Sequence, residues 1–343
     1  RALEKMGVPE PPMLVMTSGN IHDEPIVTDD AEARGKLGGI ACAVLGNDRA
    51  ILSRYDDSVV RIISAGSAGA AVQMIRRARG FAPVPLKLAQ AGANSEAAVN
   101  PEAAAAPEDA AAPEATGAAG HEGSPETAGH EAAAVAPVLF AAGSEQKSTF
   151  AFVRGSEAFV SQHVGDLENA EAFDAWLDAK SRFEKLFELR ATRLACDAHP
   201  EYLASKWARE QARKLDIPLV EVQHHHAHIA SVIGENGLSG AVCGIAFDGT
   251  GFGADGSIWG GEVLLANAQA YERFANFAYV PMPGGAACVK NPLRMAYGVL
   301  WEFDLLEHPA AKRVLDALGE QADLCDQMIE RGLNTPMTSS VGR

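Results

Sequence analysis

His224 and His228 stand four residues apart inside Val222-Gln223-His224-His225-His226-Ala227-His228. A helix starting there puts both imidazoles on one face. Two imidazoles at that spacing can ligate Zn²⁺ or Fe²⁺ when a carboxylate arrives from elsewhere. The competing reading is that some of the four are helix-start or core histidines. Four within five residues after a strand favour ligation by at least two. A zinc-protease helix would carry Glu after the first His. His225 occupies that place, so this helix supplies no general base. His225 and His226 are expected to point away from the ligating face or to make supporting hydrogen bonds.

A second group is Phe247-Asp248-Gly249-Thr250-Gly251-Phe252-Gly253, closing on Trp259-Gly260-Gly261-Glu262. Glycine lets the backbone approach a ligand, and Gly and Thr N–H groups with the Thr hydroxyl can cradle phosphate oxygens. Asp248 could orient a metal or a water there. A glycine-rich β-hairpin explains the same residues equally well. No Gly-Lys-Ser/Thr follows, so this is not a Walker loop. A third group sets Thr17-Ser18-Gly19-Asn20 against Arg54, Asp56-Asp57-Ser58 and Arg61. Hydroxyls and an amide facing arginines suit a phosphate ester, although ordinary turn chemistry is the stronger reading of these residues alone. No residue is assigned as catalytic.

Alternating strands and helices must position these groups. Pro11–Met16 predicts a buried strand running into the Thr17–Asn20 turn. Ala31–Gly38 predicts a helix, Ile40–Leu45 a strand, Gly46–Arg49 a turn and Ser58–Ile63 a β-branched strand. Val138–Phe140 with Ser148–Val153 predicts a hairpin. Leu167–Leu189 has the spacing of an amphipathic helix. Arg193–Asp197 and Leu219–Val222 predict strands around a helix at Ser205–Lys214. Gly240–Phe247 predicts a strand ending at Asp248. The class is α/β.

The chain has 343 residues, about two domains' worth, and a net charge of −16. That charge excludes a basic nucleic-acid surface as the default. No apolar run approaches a membrane span of roughly 20 residues. Five scattered cysteines without a Cys-x-x-Cys argue against a disulfide framework and fit a reducing cytoplasm. Arg1 is not an initiator Met, and the end at Gly342-Arg343 carries no stop signature, so the chain reads as a piece of a longer one.

Half of the net charge lies in Ala89–Ala136, a run of Ala, Glu, Pro and Gly with eight acidic residues and neither Lys nor Arg. Such a segment cannot bury enough apolar surface to offset ordering its backbone, about 1–2 kcal/mol per residue. It is expected to be a disordered linker between segments 1–88 and 137–343.

Several stretches, in order, resemble the HypF family of hydrogenase-maturation carbamoyltransferases. They are Met16-Thr17-Ser18-Gly19-Asn20 through Glu24-Pro25-Ile26, Asp56–Arg61, Arg76–Pro83, Ser161–Asn169, Cys196–Pro200, Val222–His228 and Ala246–Gly251. The resemblance implies a C-terminal part of a YrdC-like domain over 1–88. It implies the first part of a Kae1-like domain, of the actin/Hsp70-type fold, over 137–343. It implies ATP with Mg²⁺, and a carbamoyl-adenylate made from ATP and carbamoyl phosphate. The carbamoyl group would pass to the C-terminal cysteine of a HypE-type partner. By the same resemblance Ser18, Asn20 and Arg61 contact nucleotide in the first domain. His224 and His228 hold a divalent metal, Zn or Fe, and Asp248, Gly249, Thr250 and Gly251 form the second domain's phosphate loop. A further Asp ligand and the adenosine-binding glycines would lie beyond Arg343, so this chain alone is expected to be inactive. The chain departs from the pattern at Ser148, Ala286 and Asn291. A tRNA threonylcarbamoyl-adenosine enzyme shares both domain types, and a non-catalytic nucleotide- or metal-binding module is the alternative of another class. The acidic charge and the fusion of both domain types count against the tRNA enzyme.

Overall fold

The structure, a computed structural model, describes residues 7, 17–21, 24–64, 70–88 and 136–343. The apolar run Pro11–Met16 falls outside them, as does the Ala/Glu/Pro tract as far as residue 135. The chain divides into two compact units. One takes Arg1–Leu86, Val138–Cys196 and Glu201–Leu219; the other takes Lys87–Pro137, Asp197–Pro200 and Val220–Arg343.

The first unit opens with helix α1 (Asp30–Leu37), capped by Asp29, whose carboxylate accepts from Ala31 N and Glu32 N. The strand expected at Ile40–Leu45 does not form. Ile40 and Leu45 lie exposed, and among the described residues no strand pairs with this stretch to reward an extended backbone. Asn47 instead closes a local turn through Arg49 N. Strands β1 (Val59–Ser64) and β2 (Ala70–Arg76) pair antiparallel, with Ile62 opposite Val72.

Further along this unit, β3 (Val138–Ala141), β4 (Ala151–Arg154) and β5 (Glu157–Val160) form an antiparallel meander. Strand β6 (Arg193–Asp197) runs parallel to β3. Helix α2 (Ala170–Phe187) begins where Asn169 accepts from Ala172 N. It buries Ala172, Trp176, Ala179 and Phe183, one apolar stripe at helical spacing. Trp176 is fully buried and meets the rings of Phe140, Phe150 and Trp207 edge-on. Trp207 comes from helix α3 (Leu203–Leu215). This aromatic cluster is the unit's core, and truncating Trp176 to Ala would cost about 3–5 kcal/mol.

In the second unit, strand β7 (Leu219–Val222) delivers the chain to helix α4 (His224–Asn236). Gln223 caps α4 through its side-chain oxygen on His226 N, and Gly237 ends it in the left-handed region. The buried face of α4 carries His225, His226, Ile229 and Ile233. Ile229 and Ile233 share a core with Ala246, Leu264 and Ala266. Strands β8 (Val242–Phe252), β9 (Ile258–Ala266) and β10 (Tyr271–Asn276) follow as an antiparallel sheet. Strand β11 (Val280–Pro281), helices α5 (Ala287–Lys290), α6 (Pro292–Glu302), α7 (Lys312–Leu318) and α8 (Gln321–Glu330), and strand β12 (Met337–Thr338) complete it. Strand β12 lies parallel to β9 and antiparallel to β11.

The strand expected to stop before Asp248 runs on to Phe252. Phe247 pairs with Gly261 and Gly251 with Trp259, so Asp248, Gly249 and Thr250 together face only Gly260. The glycine-rich residues are therefore a bulge within a hairpin. A bulge leaves the ladder locally unpaired and re-aims the side chains it carries.

Candidate metal centre

The bulge brings Asp248 to the two histidines. Asp248 Oδ2 lies 3.0 Å from His224 Nε2 and 3.8 Å from His228 Nε2. The two Nε2 atoms are 3.2 Å apart. A tetrahedral cation with Zn–N and Zn–O bonds of about 2.0–2.2 Å sets its ligand atoms about 3.3–3.5 Å apart. The three separations bracket that value, and the donor set, two imidazoles and a carboxylate, suits Zn²⁺ or Fe²⁺. His224 is largely buried while the side chain of His228 is 56% exposed, so one side of the group opens to solvent. Asp248, read from sequence as a phosphate-loop residue, thus also completes a three-donor group with the histidine pair.

Asp197, at the end of β6, accepts from His224 Nδ1 at 2.7 Å. A carboxylate on Nδ1–H leaves Nε2 with its lone pair toward the ligand position. Without a cation His224 has a carboxylate on each nitrogen. Burial works against its charge, but the hydrogen bonds to Asp197 and Asp248 overcome it and push the imidazole up to about 9. Burial also opposes ionisation of Asp248. His224, His228 and the Gly249 N–H, 2.6 Å from Oδ1, outweigh it and hold that carboxyl far below the usual carboxylate range. The two carboxylates thus favour the protonated form of this imidazole.

The middle histidines face elsewhere, as the helix geometry predicts. His226 Nε2 meets Asn267 O at 2.8 Å. His225 is fully buried, with Nδ1 3.1 Å from Gln223 Nε2 and no hydrogen-bond partner on Nε2. Burial first, and then the His224 charge, push it down to about 4.

In the first unit, Ser18 and Asn20 line a cavity of about 360 Å³ together with Arg54, Asp56, Arg76 and Lys147. Asn20 Nδ2 donates to Ile21 O and Glu24 O, so its amide also holds the turn. Arg54 Nε donates to Ile26 O, and Arg76 meets Asp56 at 2.5 Å. Arg61 is not among the residues lining this cavity; its guanidinium rests on Gln73 Oε1. Lys147 and Arg76 join Ser18 at this cavity although nothing local in either segment relates them to it.

The strands and helices described form an α/β protein built from a YrdC-like and then a Kae1-like part. The family profile described as "HypF Kae1-like domain" matches residues 134–235. The one described as "Carbamoyltransferase, Kae1-like Domain, second subdomain" matches residues 244–343. A third, "Telomere recombination", of the Sua5/YciO/YrdC type, matches residues 2–78. The chain belongs to the HypF family. Carbamoyltransferase HypF2 of Cupriavidus necator is 37% identical over 98% of this chain and 35% of its own length. Carbamoyltransferase HypF of Rhodobacter capsulatus is 34% identical over 96% of this chain and 38% of its own. A crystal structure of full-length HypF in the phosphate- and nucleotide-bound form superposes with TM-score 0.76 at 34% identity, covering 95% of this chain and 36% of that one. That of T. kodakarensis HypF gives 0.70 at 30% identity, covering 95% and 38%. The chain thus spans little more than a third of the length of these relatives. No helix among the described residues is long and apolar enough to cross a membrane.

Proposed function

We propose that this chain is part of an ATP-dependent carbamoyltransferase of nickel-iron hydrogenase maturation. The observation that carries the reading is the convergence of His224, His228 and Asp248 at cation-binding separations, in a chain of the HypF family. In this reading the cavity with Ser18 and Asn20 takes part in holding ATP with Mg²⁺: water releases inorganic phosphate from carbamoyl phosphate, and the oxygen of the resulting carbamate attacks the α-phosphorus of ATP, giving carbamoyl-adenylate as pyrophosphate leaves. The second unit then serves the transfer. The thiolate of the C-terminal cysteine of a HypE-type partner attacks the carbamoyl carbon, the bond from that carbon to the adenylate oxygen breaks, and AMP leaves.

When bound, a divalent cation supplies a Lewis acid for the carbamoyl oxygen. His224, His228 and Asp248 would hold it. Asp197 keeps His224 in the ligating tautomer, and the backbone of the Asp248–Gly251 loop would supply N–H donors to a phosphate. Keeping the adenylate from bulk water would spare it from hydrolysis. The five free thiols suit a reducing cytoplasm, to which we assign the protein.

The test replaces His224 and His228 by Ala in the full-length protein. Bound metal and single-turnover transfer to the partner thiol should both be lost, while ATP-dependent adenylate formation survives. Full metal occupancy with normal transfer would make the histidines structural.

A further inference from the structure

The bulge that carries Asp248 has lost its ladder partners, so something else must fix it. That partner is the segment after β12. Ser340 Oγ lies 2.7 Å from Asp248 O and 2.9 Å from Gly249 O, so its single proton is shared between the two carbonyls. Gly342 N donates to Asp248 O at 3.1 Å. The segment is itself anchored. Ser339 N donates to Ile258 O and Val341 N to Gly260 O. Ser339 Oγ donates to Glu262, which is fully buried and paired at 2.7 Å with Arg273.

There is no slack in the fit. A Cβ on Gly342 would lie 2.8 Å from Gly249 Cα and 2.9 Å from Gly249 N. A Cβ on Gly260 would collide with Asp248 O and come within 2.8 Å of Ser340 Oγ. The main chain of Asp248 and Gly249 is therefore gripped between β9 and the 339–342 segment, and only the Asp248 side chain projects to the histidines.

We propose that Ser340 is a positioning residue for the metal centre. Its hydroxyl fixes the Asp248–Gly249 backbone, and through it sets the distance from the Asp248 carboxylate to His224 and His228. The proposal rests on the reading that these three side chains hold a cation. Ser340 acts through Asp248, whose backbone carbonyl it holds.

The experiment titrates the metal-free full chain with Co²⁺ and reads the visible d–d bands, which report affinity and ligand geometry together. The wild type is compared with Ser340→Ala, Ser340→Cys and Gly342→Ala, with thermal melting of each metal-free variant. Ser340→Ala should bind Co²⁺ roughly 10-fold or more weakly, the usual scale for a partner behind a ligand, with altered band intensity. Ser340→Cys, similar in shape but a weaker donor, should fall between it and the wild type. Gly342→Ala should shift the bands by pushing Gly249 from the other side. If Ser340→Ala does not fold, the Cys variant carries the same comparison. Wild-type affinity and bands in Ser340→Ala, or in the Cys variant where Ala fails to fold, would overturn the proposal and leave the metal reading intact. No cobalt binding by the wild type would overturn the metal reading, and the proposal with it.

Discussion

Asp197 Oδ2 sits 2.7 Å from His224 Nδ1, 27 residues away in sequence, and decides which nitrogen of His224 is free to ligate. Asp197→Asn tests this directly. An asparagine amide can donate to Nδ1 and so favours the opposite tautomer, with the proton on Nε2. Divalent metal affinity should drop by about 10–100-fold, measured by competition with a chromophoric chelator. An unchanged affinity would mean that the cation does not need this tautomer.

The proton held by the group makes stability depend on pH. His224 has a folded-state value of about 9 against an ordinary 6.5, so it is raised. Its contribution is fully present below about pH 6.5 and is lost as pH rises through about 9. At 1.36 kcal/mol per unit the stake is on the order of 3 kcal/mol. Denaturant midpoints of the metal-free chain should therefore fall between pH 6.5 and 9. His224→Gln should flatten that fall. Saturating Zn²⁺ should also remove it, because the cation displaces the proton. A flat wild-type profile in the absence of metal would contradict the shared-proton arrangement.

Much of this was legible in the residues. The i,i+4 spacing of His224 and His228 put both on one face of α4, and the apolar stripe of α2 ran through Trp176 and Phe183. What was hidden depended on distant pairing. Asp248 reads as the end of a strand until β9 is seen to pair on both sides of it, leaving three residues opposite Gly260. The strand expected at Ile40–Leu45 had the right side chains but has no pairing strand among the described residues. Asp197 was visible as a strand end and within the Cys196–Pro200 stretch that resembles the family, but no local pattern ties it to His224. Arg61 has a charge suited to phosphate, but its strand turns it to Gln73.

Ser18 and Asn20 are tested together and apart in the full-length protein. The double Ala variant should abolish ATP–pyrophosphate exchange. Asn20→Ala also removes two side-chain hydrogen bonds to the turn, each worth about 0.5–1.5 kcal/mol. It should therefore melt earlier than Ser18→Ala. Exchange lost in Ser18→Ala at unchanged melting temperature separates ligand contact from turn stability. Unchanged exchange in the double variant would reduce Ser18-Gly19-Asn20 to a turn.

Gly251 closes the bulge directly over the buried imidazole of His225. A Cβ there would run into the ring, coming within 3.0 Å of Nε2 and 3.1 Å of Nδ1. The ring cannot retreat easily. It is fully buried, its Nδ1 faces Gln223, and Gln223 in turn caps α4 and donates to Phe252 O. Gly251→Ala must then displace either the β8 backbone or the first turn of α4, and that turn begins with His224. Overpacking of this kind costs about 1–3 kcal/mol. The expected outcome is a lower denaturant midpoint together with weaker metal binding, because strain at His225 is passed to its neighbour. Reducing the ring by His225→Ala in the same chain should make room for the methyl. The double variant should then lose less stability than the two single losses added together, a coupling that a double-mutant cycle measures. Strict additivity would show that Gly251 and His225 do not press on one another in solution.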